Sequence, residues 1–227
     1  ATPTSLLDDL ALMLDTLHEE RVQRPLVLLG HSMGGAVAAR FVADGPADVD
    51  ALVLSSPALD PGLTLLQRLR LAVGARLFPH IAVSNGLSPL GISRDPQVVR
   101  RYIDDTRVHD RITPLLARFI VDAGRQVIAS ASQWPTPTLL LWAGADRCVS
   151  PRGSAAFAAA APKRLLRTRC FDGIADASTA WRTRSSTSPS ATWSSARCST
   201  ICTRCRQLRR VDWPPGSTGS MLRSLEA

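Results

Sequence analysis

The sequence predicts an α/β protein, with a doubly wound, mostly parallel sheet that carries an inserted helical cap. The first observation is a set of short, continuous apolar runs at residues 26–29, 51–54 and 138–142, which are typical of parallel strands buried on both faces. The second is a helix-forming segment between the first two runs. The third is the stretch at residues 59–134, where prolines punctuate amphipathic segments and no strand of comparable quality occurs.

The first predicted helix covers residues 5–17, where apolar side chains recur at helical spacing behind Ser5 as the capping residue. Asp8 and Asp9 fall in its first turn, where the helix dipole stabilises anions. The strand at 26–29 leads into a run rich in Gly and Ala, which predicts a helix packed closely under a sheet and ending near residue 44. The second strand then closes at a Ser-Ser-Pro sequence.

Beyond the cap, the strand at 138–142 turns at an Ala-Gly-Ala-Asp sequence, and a helix and a last strand are predicted to follow at 154–161 and 165–171. After residue 173 neither helical nor strand periodicity is visible. We therefore expect four parts: a core part at 1–57, a helical cap at 58–136, core strands at 137–173 and an irregular tail rich in Ser, Thr and Arg at 174–227.

The formal net charge of +8 would ordinarily favour a nucleic acid or an anionic membrane as partner. Residues 174–227 alone hold eight Arg against three acidic residues, so the rest of the chain is only mildly basic. We expect no nucleic-acid partner; binding through the Arg-rich tail is the competing hypothesis. The five cysteines are odd in number and accompany no signal-peptide pattern, which favours a reducing, cytoplasmic location.

The sequence Gly-His-Ser-Met-Gly-Gly at residues 30–35 predicts a nucleophile elbow, a sharp turn from strand to helix that exposes a reactive serine. Its context supports this, because the motif follows a buried strand and precedes a small-residue helix. Ser32 is the candidate nucleophile, and the backbone N–H of Met33 is the candidate donor to the developing oxyanion. We expect Gly30 and Gly34 to allow a close approach of the neighbouring chain.

A serine nucleophile needs a histidine as base and a carboxylate that orients it, in the chain order serine, acid, histidine. Asp146 follows a buried strand and is the candidate acid; a turn-forming role is the alternative. The last histidine of the chain is His109, so no histidine stands where the order requires one. His31 is interpreted as a structural or pocket-lining residue, and His109 as a solvated histidine of the cap.

Three cysteines of the tail have the spacing Cys198-x3-Cys202-x2-Cys205, which is similar to a loop that binds an iron–sulfur cluster. Enzymes with that loop carry it early in a barrel, whereas here it lies in a segment rich in Ser and Arg. We therefore expect no metal and no cofactor.

These motifs resemble the monoacylglycerol lipase and lysophospholipase group of the α/β-hydrolase fold, capped serine hydrolases that are also classed with the serine aminopeptidases. The elbow sequence, the Leu-Ser-Ser-Pro-Ala-Leu sequence at 54–59 and the Ala-Gly-Ala-Asp-Arg turn at 143–147 all resemble that group. So do cap segments such as Ser-Arg-Asp-Pro at 93–96. The resemblance covers about residues 5–173.

The resemblance implies a serine hydrolase that forms an acyl-enzyme at Ser32, with Asp146 as the triad acid. The implied substrate is a small lipid ester such as a monoacylglycerol or a lysophospholipid, with at most peripheral membrane contact. Two alternatives stay open: another esterase or peptidase of the same fold, and a catalytically inactive remnant of it.

The chain departs from the family pattern at both ends, so we expect the fold to be incomplete at both. Family members have about two more strands before the first helix, and a His-Glu-Ile-Phe-Asn-Glu sequence after the last strand. When residues 181–206 are back-translated and read from the third base of each codon, permitted codons give Ala-His-Glu-Ile-Phe-Asn-Glu and an amphipathic continuation. We hypothesise that the tail is a frameshifted form of the family's C-terminus.

Overall fold

The structure is a computed structural model that describes residues 4–20, 24–45 and 48–171. The tail predicted at 174–227, with its three spaced cysteines, lies outside the described residues. The helices are α1 Ser5–Glu19, α2 Ser32–Asp44, α3 Leu65–Leu77, α4 Pro96–Asp104, α5 Pro114–Ser130 and α6 Pro151–Ala160. The strands are β1 Val27–His31, β2 Ala51–Ser55, β3 Val83–Ser84, β4 Arg111–Ile112, β5 Thr138–Ala143 and β6 Leu166–Phe171.

The main sheet has the strand order β1-β2-β5-β6, and all of its pairs are parallel. The fold class predicted from the apolar runs is confirmed, because each run forms a strand of this sheet and helices lie between them in the chain. Parallel strands share one carboxyl edge, so the residues that follow β1, β2 and β5 lie on the same side of the molecule.

The core lies on one face of this sheet. Leu52, Leu54 and Leu140 are fully buried and belong to a large apolar cluster that also contains Val42 of α2 and Phe157 of α6. Since alternate residues of a strand point to opposite faces, Val53 and Leu139 form a separate, smaller cluster.

The segment that precedes β5 is fixed to the sheet by a buried polar contact. The indole Nε1–H of Trp134 donates to Thr138 Oγ1 at 2.8 Å, and that hydroxyl donates to the Thr136 carbonyl at 2.9 Å. The Trp134 ring also meets Phe157 edge to face, with centroids 4.8 Å apart. This network satisfies the polar atoms that the core would otherwise leave unpaired.

The helices predicted for the cap differ in what they bury, because α5 contributes Val127 to the large apolar cluster and α3 contributes nothing. Helix α3 begins with a capping box between Thr64 and Gln67, yet none of its residues is buried. The sequence predicted no strand of quality here, and the structure has only a two-residue antiparallel ladder between β3 and β4. In the described ranges, no helix combines the length and apolar character needed to cross a bilayer.

Two local details differ from the sequence interpretation. Thr4, not Ser5, occupies the capping position of α1, so the predicted cap was wrong by one residue. β1 is an edge strand among the described strands of the main sheet, and Leu29 is therefore 62 % exposed although its run is continuously apolar.

We expect Thr138→Val to lower the free energy of unfolding by about 2 kcal/mol, because it leaves the buried Trp134 N–H without an acceptor. Thr168→Val is the matched control on β6, since Thr168 is only partly buried and its hydroxyl forms no hydrogen bond within the described chain. Urea unfolding followed by tryptophan fluorescence measures both. Equal losses in the two variants would contradict the proposed role of the hydroxyl.

Candidate active site at the carboxyl edge

The turn from β1 to α2 contains no loop, because β1 ends at His31 and the helix begins at Ser32. Ser32 has a φ of 51°, one of two positive φ values at non-glycine residues in the described chain. A left-handed backbone costs an L-residue about 1–2 kcal/mol. Such strain persists where the surrounding structure holds it, and it is concentrated at functional sites.

Two glycines make this turn possible. A Cβ at Gly30 would lie 2.6 Å from the Gly34 carbonyl oxygen, and a Cβ at Gly35 would lie 2.8 Å from Pro57 Cβ. A Cβ at Gly34 would meet no atom of the described chain within 4 Å. The prediction for Gly30 is confirmed, whereas that for Gly34 was wrong: Gly35 makes the second close approach.

The backbone around Ser32 is held from the neighbouring strand. The Ser32 carbonyl accepts a hydrogen bond of 2.9 Å from the Ala58 N–H, just after β2. Met33, which is 39 % exposed, lies in the first turn of α2, where N–H groups have no intrahelical acceptor. The helix N-terminus therefore presents backbone donors next to the Ser32 side chain.

Asp146 lies in the turn after β5 and is held by its own backbone. Its Oδ1 atom accepts hydrogen bonds from the N–H groups of Cys148 at 2.8 Å and Val149 at 3.0 Å. The Oδ2 atom forms no hydrogen bond within residues 4–20, 24–45 and 48–171. Because β2 separates β1 from β5, the strands leading to Ser32 and Asp146 are two strand spacings apart, about 10 Å.

Cys148 stands next to this carboxylate. Burial, and then the negative charge of Asp146, raise the pKa of the Cys148 thiol. A thiol with a raised pKa stays protonated at neutral pH and is a poor nucleophile. Cys148 is therefore a weaker candidate nucleophile of this edge than its position beside Asp146 suggests.

The histidines have other contacts. The His31 ring bonds across to β2, with Nδ1 3.0 Å from the Ser55 carbonyl oxygen and 3.2 Å from Ser55 Oγ. His18 Nε2 lies 2.8 Å from Asp48, which precedes β2 at the opposite edge of the sheet. His109 Nδ1 accepts from the Arg111 N–H at 3.2 Å, in the cap. In the described part of the chain, no hydrogen bond joins a histidine to Ser32 or Asp146.

Ser56 is a residue that the sequence analysis did not single out. It follows β2, between the two strands that lead to Ser32 and Asp146, and has a φ of 40°. Its N–H donates to the Leu141 carbonyl at 2.7 Å, while its buried Oγ has no hydrogen-bond partner within the described chain. The sequence offered one indication of this role, because Ser56 directly follows an apolar run that predicts a central strand.

The described ranges contain no candidate metal site. No three His, Cys, Asp or Glu side chains come together there as they would around a metal ion.

Comparison with known proteins gives one family and several relatives. A family model described as "Serine aminopeptidase, S33" matches residues 2–175. The monoacylglycerol lipase of Mycolicibacterium smegmatis is 34 % identical over 133 residues, which are 57 % of this chain and 47 % of that protein. The chain thus spans about half the length of this curated relative.

Solved structures agree on the architecture. The crystal structure of Paleococcus ferrophilus monoacylglycerol lipase superposes with a TM-score of 0.66 at 32 % identity, over 74 % of this chain and 65 % of that one. A soluble variant of the Saccharomyces cerevisiae monoglyceride lipase, solved with a substrate analogue, superposes with a TM-score of 0.62 at 17 % identity, over 75 % and 59 %. At that lower identity the likeness concerns the fold.

We expect Gly30→Ala and Gly34→Ala to affect stability in opposite directions. The new methyl group at residue 30 overlaps backbone atoms and should lower the free energy of unfolding by about 2 kcal/mol or more. The methyl group at residue 34 enters open space and should raise it by about 0.5–1 kcal/mol, because alanine favours the helix. Chemical denaturation of both variants measures the difference. If Gly34→Ala lowered the free energy of unfolding as much as Gly30→Ala does, the packing described for the elbow would be contradicted.

Proposed function

The chain belongs to the serine aminopeptidase S33 family of α/β-hydrolases, and on this basis we propose that it is a serine-dependent carboxylic ester hydrolase. The observation that carries the proposal is the strained backbone of Ser32 at the N-terminus of α2. A serine in this position exposes its hydroxyl at the carboxyl edge of the sheet, beside backbone donors that stabilise a developing oxyanion.

In the proposed reaction, Ser32 Oγ attacks the ester carbonyl carbon and transfers its proton to a histidine base. The Met33 N–H donates to the resulting oxyanion. The tetrahedral intermediate then collapses, the alcohol leaves with that proton, and an acyl-enzyme remains at Ser32. Water, activated by the same histidine, releases the carboxylic acid. Asp146 is suited to orient the base, because two N–H groups fix Oδ1 while Oδ2 can accept a further donor.

The histidine base is the group that this mechanism requires and the sequence does not supply. The resemblance implies a histidine after the last strand, and the printed chain contains none beyond His109. We propose that the printed chain has little or no turnover and that the reading-frame hypothesis accounts for the loss. The alternative is a remnant of the fold that never had a base at this position.

The proposed substrate class is a small, single-chain lipid ester such as a monoacylglycerol or a lysophospholipid. Support comes from the Mycolicibacterium smegmatis relative, which is a monoacylglycerol lipase. The exposed apolar face of α3, with Leu65 85 % and Leu69 62 % exposed, supports peripheral contact with a lipid surface. A different esterase or a peptidase of the same fold is the alternative within enzymes.

Two proteins test the mechanism. The first has the present sequence, and the second has its residues from 181 onward replaced by those of the alternative reading frame. We expect the second chain to hydrolyse p-nitrophenyl butyrate at least ~10³-fold faster, because removing a triad histidine costs at least this much. In the second chain, Ser32→Ala should abolish both turnover and labelling by a fluorophosphonate, while Ser88→Ala, at an exposed serine of the cap, leaves both intact.

Turnover that survives Ser32→Ala would contradict the assignment of the nucleophile. Robust turnover by the printed chain would contradict its inactivity. Sequencing of the coding DNA is the independent check, since an uninterrupted single frame through codons 173–182 would remove the reading-frame hypothesis.

The lipid contact is tested with phosphatidylcholine vesicles. We expect Leu65→Ser combined with Leu69→Ser to lower the fraction of protein that co-sediments with vesicles at least ~fivefold, because each leucine contributes apolar area to the bilayer interface. Leu12→Ser on α1 is the matched control, since Leu12 is 66 % exposed. Equal losses in both variants would contradict a specific role of α3.

A further inference from the structure

The cap contains an open groove between the 3-10 turn Pro89–Gly91 and helix α4. Its volume is about 490 Å³, within the usual range of small-molecule sites. The turn packs against the segment after β5, because a Cβ at Gly91 would lie 3.4 Å from Cys148 Sγ. The groove lies outside the elbow, since no residue of 30–35 belongs to its lining. We refer to it as the cap groove, lined among others by Leu90, Arg94, Val99, Arg100, Ile103 and Asp104.

One wall of the groove is apolar, and the described residues leave much of it exposed to water. Val99 and Ile103 are four residues apart and lie on one face of α4, with Leu90 across from them. Val99 is buried, whereas Leu90 is 70 % and Ile103 60 % exposed. Two large apolar side chains therefore face the groove with most of their surface in water, and a hydrocarbon chain would cover them at a gain of roughly 25 cal/mol per Å².

Two arginines of the groove lining have no counter-ion among the described residues. The guanidinium groups of Arg94 and Arg100 form neither a hydrogen bond nor an ion pair there. Neighbouring arginines behave differently: Arg101 donates to the Gln97 carbonyl and Arg107 pairs with Asp105. Asp104 is the acidic member of the lining, and it pairs with neither arginine in the described chain. The N-terminus of α4 is already capped, because Asp95 accepts from the Gln97 N–H.

Together these features favour one chemistry of ligand. A neutral lipid would use the apolar wall and leave both guanidinium groups unpaired, and a small inorganic anion would use the guanidinium groups alone. Two guanidinium groups, each a planar set of N–H donors, suit a phosphate. A phosphate monoester offers three acceptor oxygens and nearly two negative charges at neutral pH. We propose that the cap groove binds a single alkyl chain that ends in a phosphate monoester. Binding requires neither Ser32 nor a base, so this inference does not rest on the proposed reaction.

The test is isothermal titration calorimetry of the printed chain with n-decyl phosphate, below its critical micelle concentration, at pH 7.5 and low salt. We expect Arg94→Gln combined with Arg100→Gln to weaken binding at least ~tenfold, since charge-assisted hydrogen bonds are the strong ones. Arg101→Gln, one residue along the same helix and outside the groove lining, is the matched control and should leave the affinity unchanged. Asp104→Asn should tighten binding about two- to fivefold, because it removes the opposing charge.

Other ligands and variants distinguish the alternatives. Ile103→Ser should weaken the binding of decyl phosphate at least ~fivefold, because it removes apolar contact area. Inorganic phosphate should bind at least ~100-fold more weakly than decyl phosphate, because it has no alkyl chain. Decanoate or decyl maltoside binding as tightly as decyl phosphate would overturn the assignment of a phosphate head group. Binding that begins only above the micelle concentration, or an equal loss in Arg101→Gln, would overturn the groove as the site.

Discussion

The structure depends on close packing at the elbow, a contact in which Gly30 approaches Gly34 on one side and Gly35 approaches Pro57 on the other. It lets β1 turn into α2 without a loop and sets Ser32 on left-handed backbone at the sheet edge. The same contact fixes the segment after β2, because Pro57 fills the space beside Gly35 and the Ala58 N–H binds the Ser32 carbonyl. The elbow and the strand next to it are therefore one packing unit.

A second strained position follows from this arrangement. Ser56 closes β2 with positive φ, directly beside the elbow, and its buried hydroxyl has no partner within the described chain. Two left-handed serines at neighbouring strand ends cost on the order of 2–4 kcal/mol, which the surrounding core must offset. The core can do so because β2 and β5 carry fully buried leucines on the face that packs against α2 and α6.

The fold was predictable where the sequence signal is continuous. Apolar runs of four or five residues mark β2 and β5 because a central parallel strand is buried on both faces. β1 has the same kind of run although it lies at the edge of the described sheet. Spacing alone could not say which glycine of the elbow touches a neighbour: Gly34 and Gly35 are adjacent, and only the helix direction turns Gly35 toward Pro57. Ser56 was missed for the same reason, since its place between the strand ends of the two candidate residues depends on strand order.

Among the described residues, the backbone of Ser32 and the carboxylate of Asp146 are held by close packing and by backbone N–H groups, without a contact to a histidine side chain. Gly30, Gly35 and Pro57 hold the backbone of Ser32, and two N–H groups of its own turn hold Oδ1 of Asp146. Both features therefore depend on the fold and not on a base, and they are present whether or not the chain turns over an ester. In the proposed mechanism turnover also needs a histidine that the elbow does not position, so the geometry of Ser32 and the activity of the chain are separate questions.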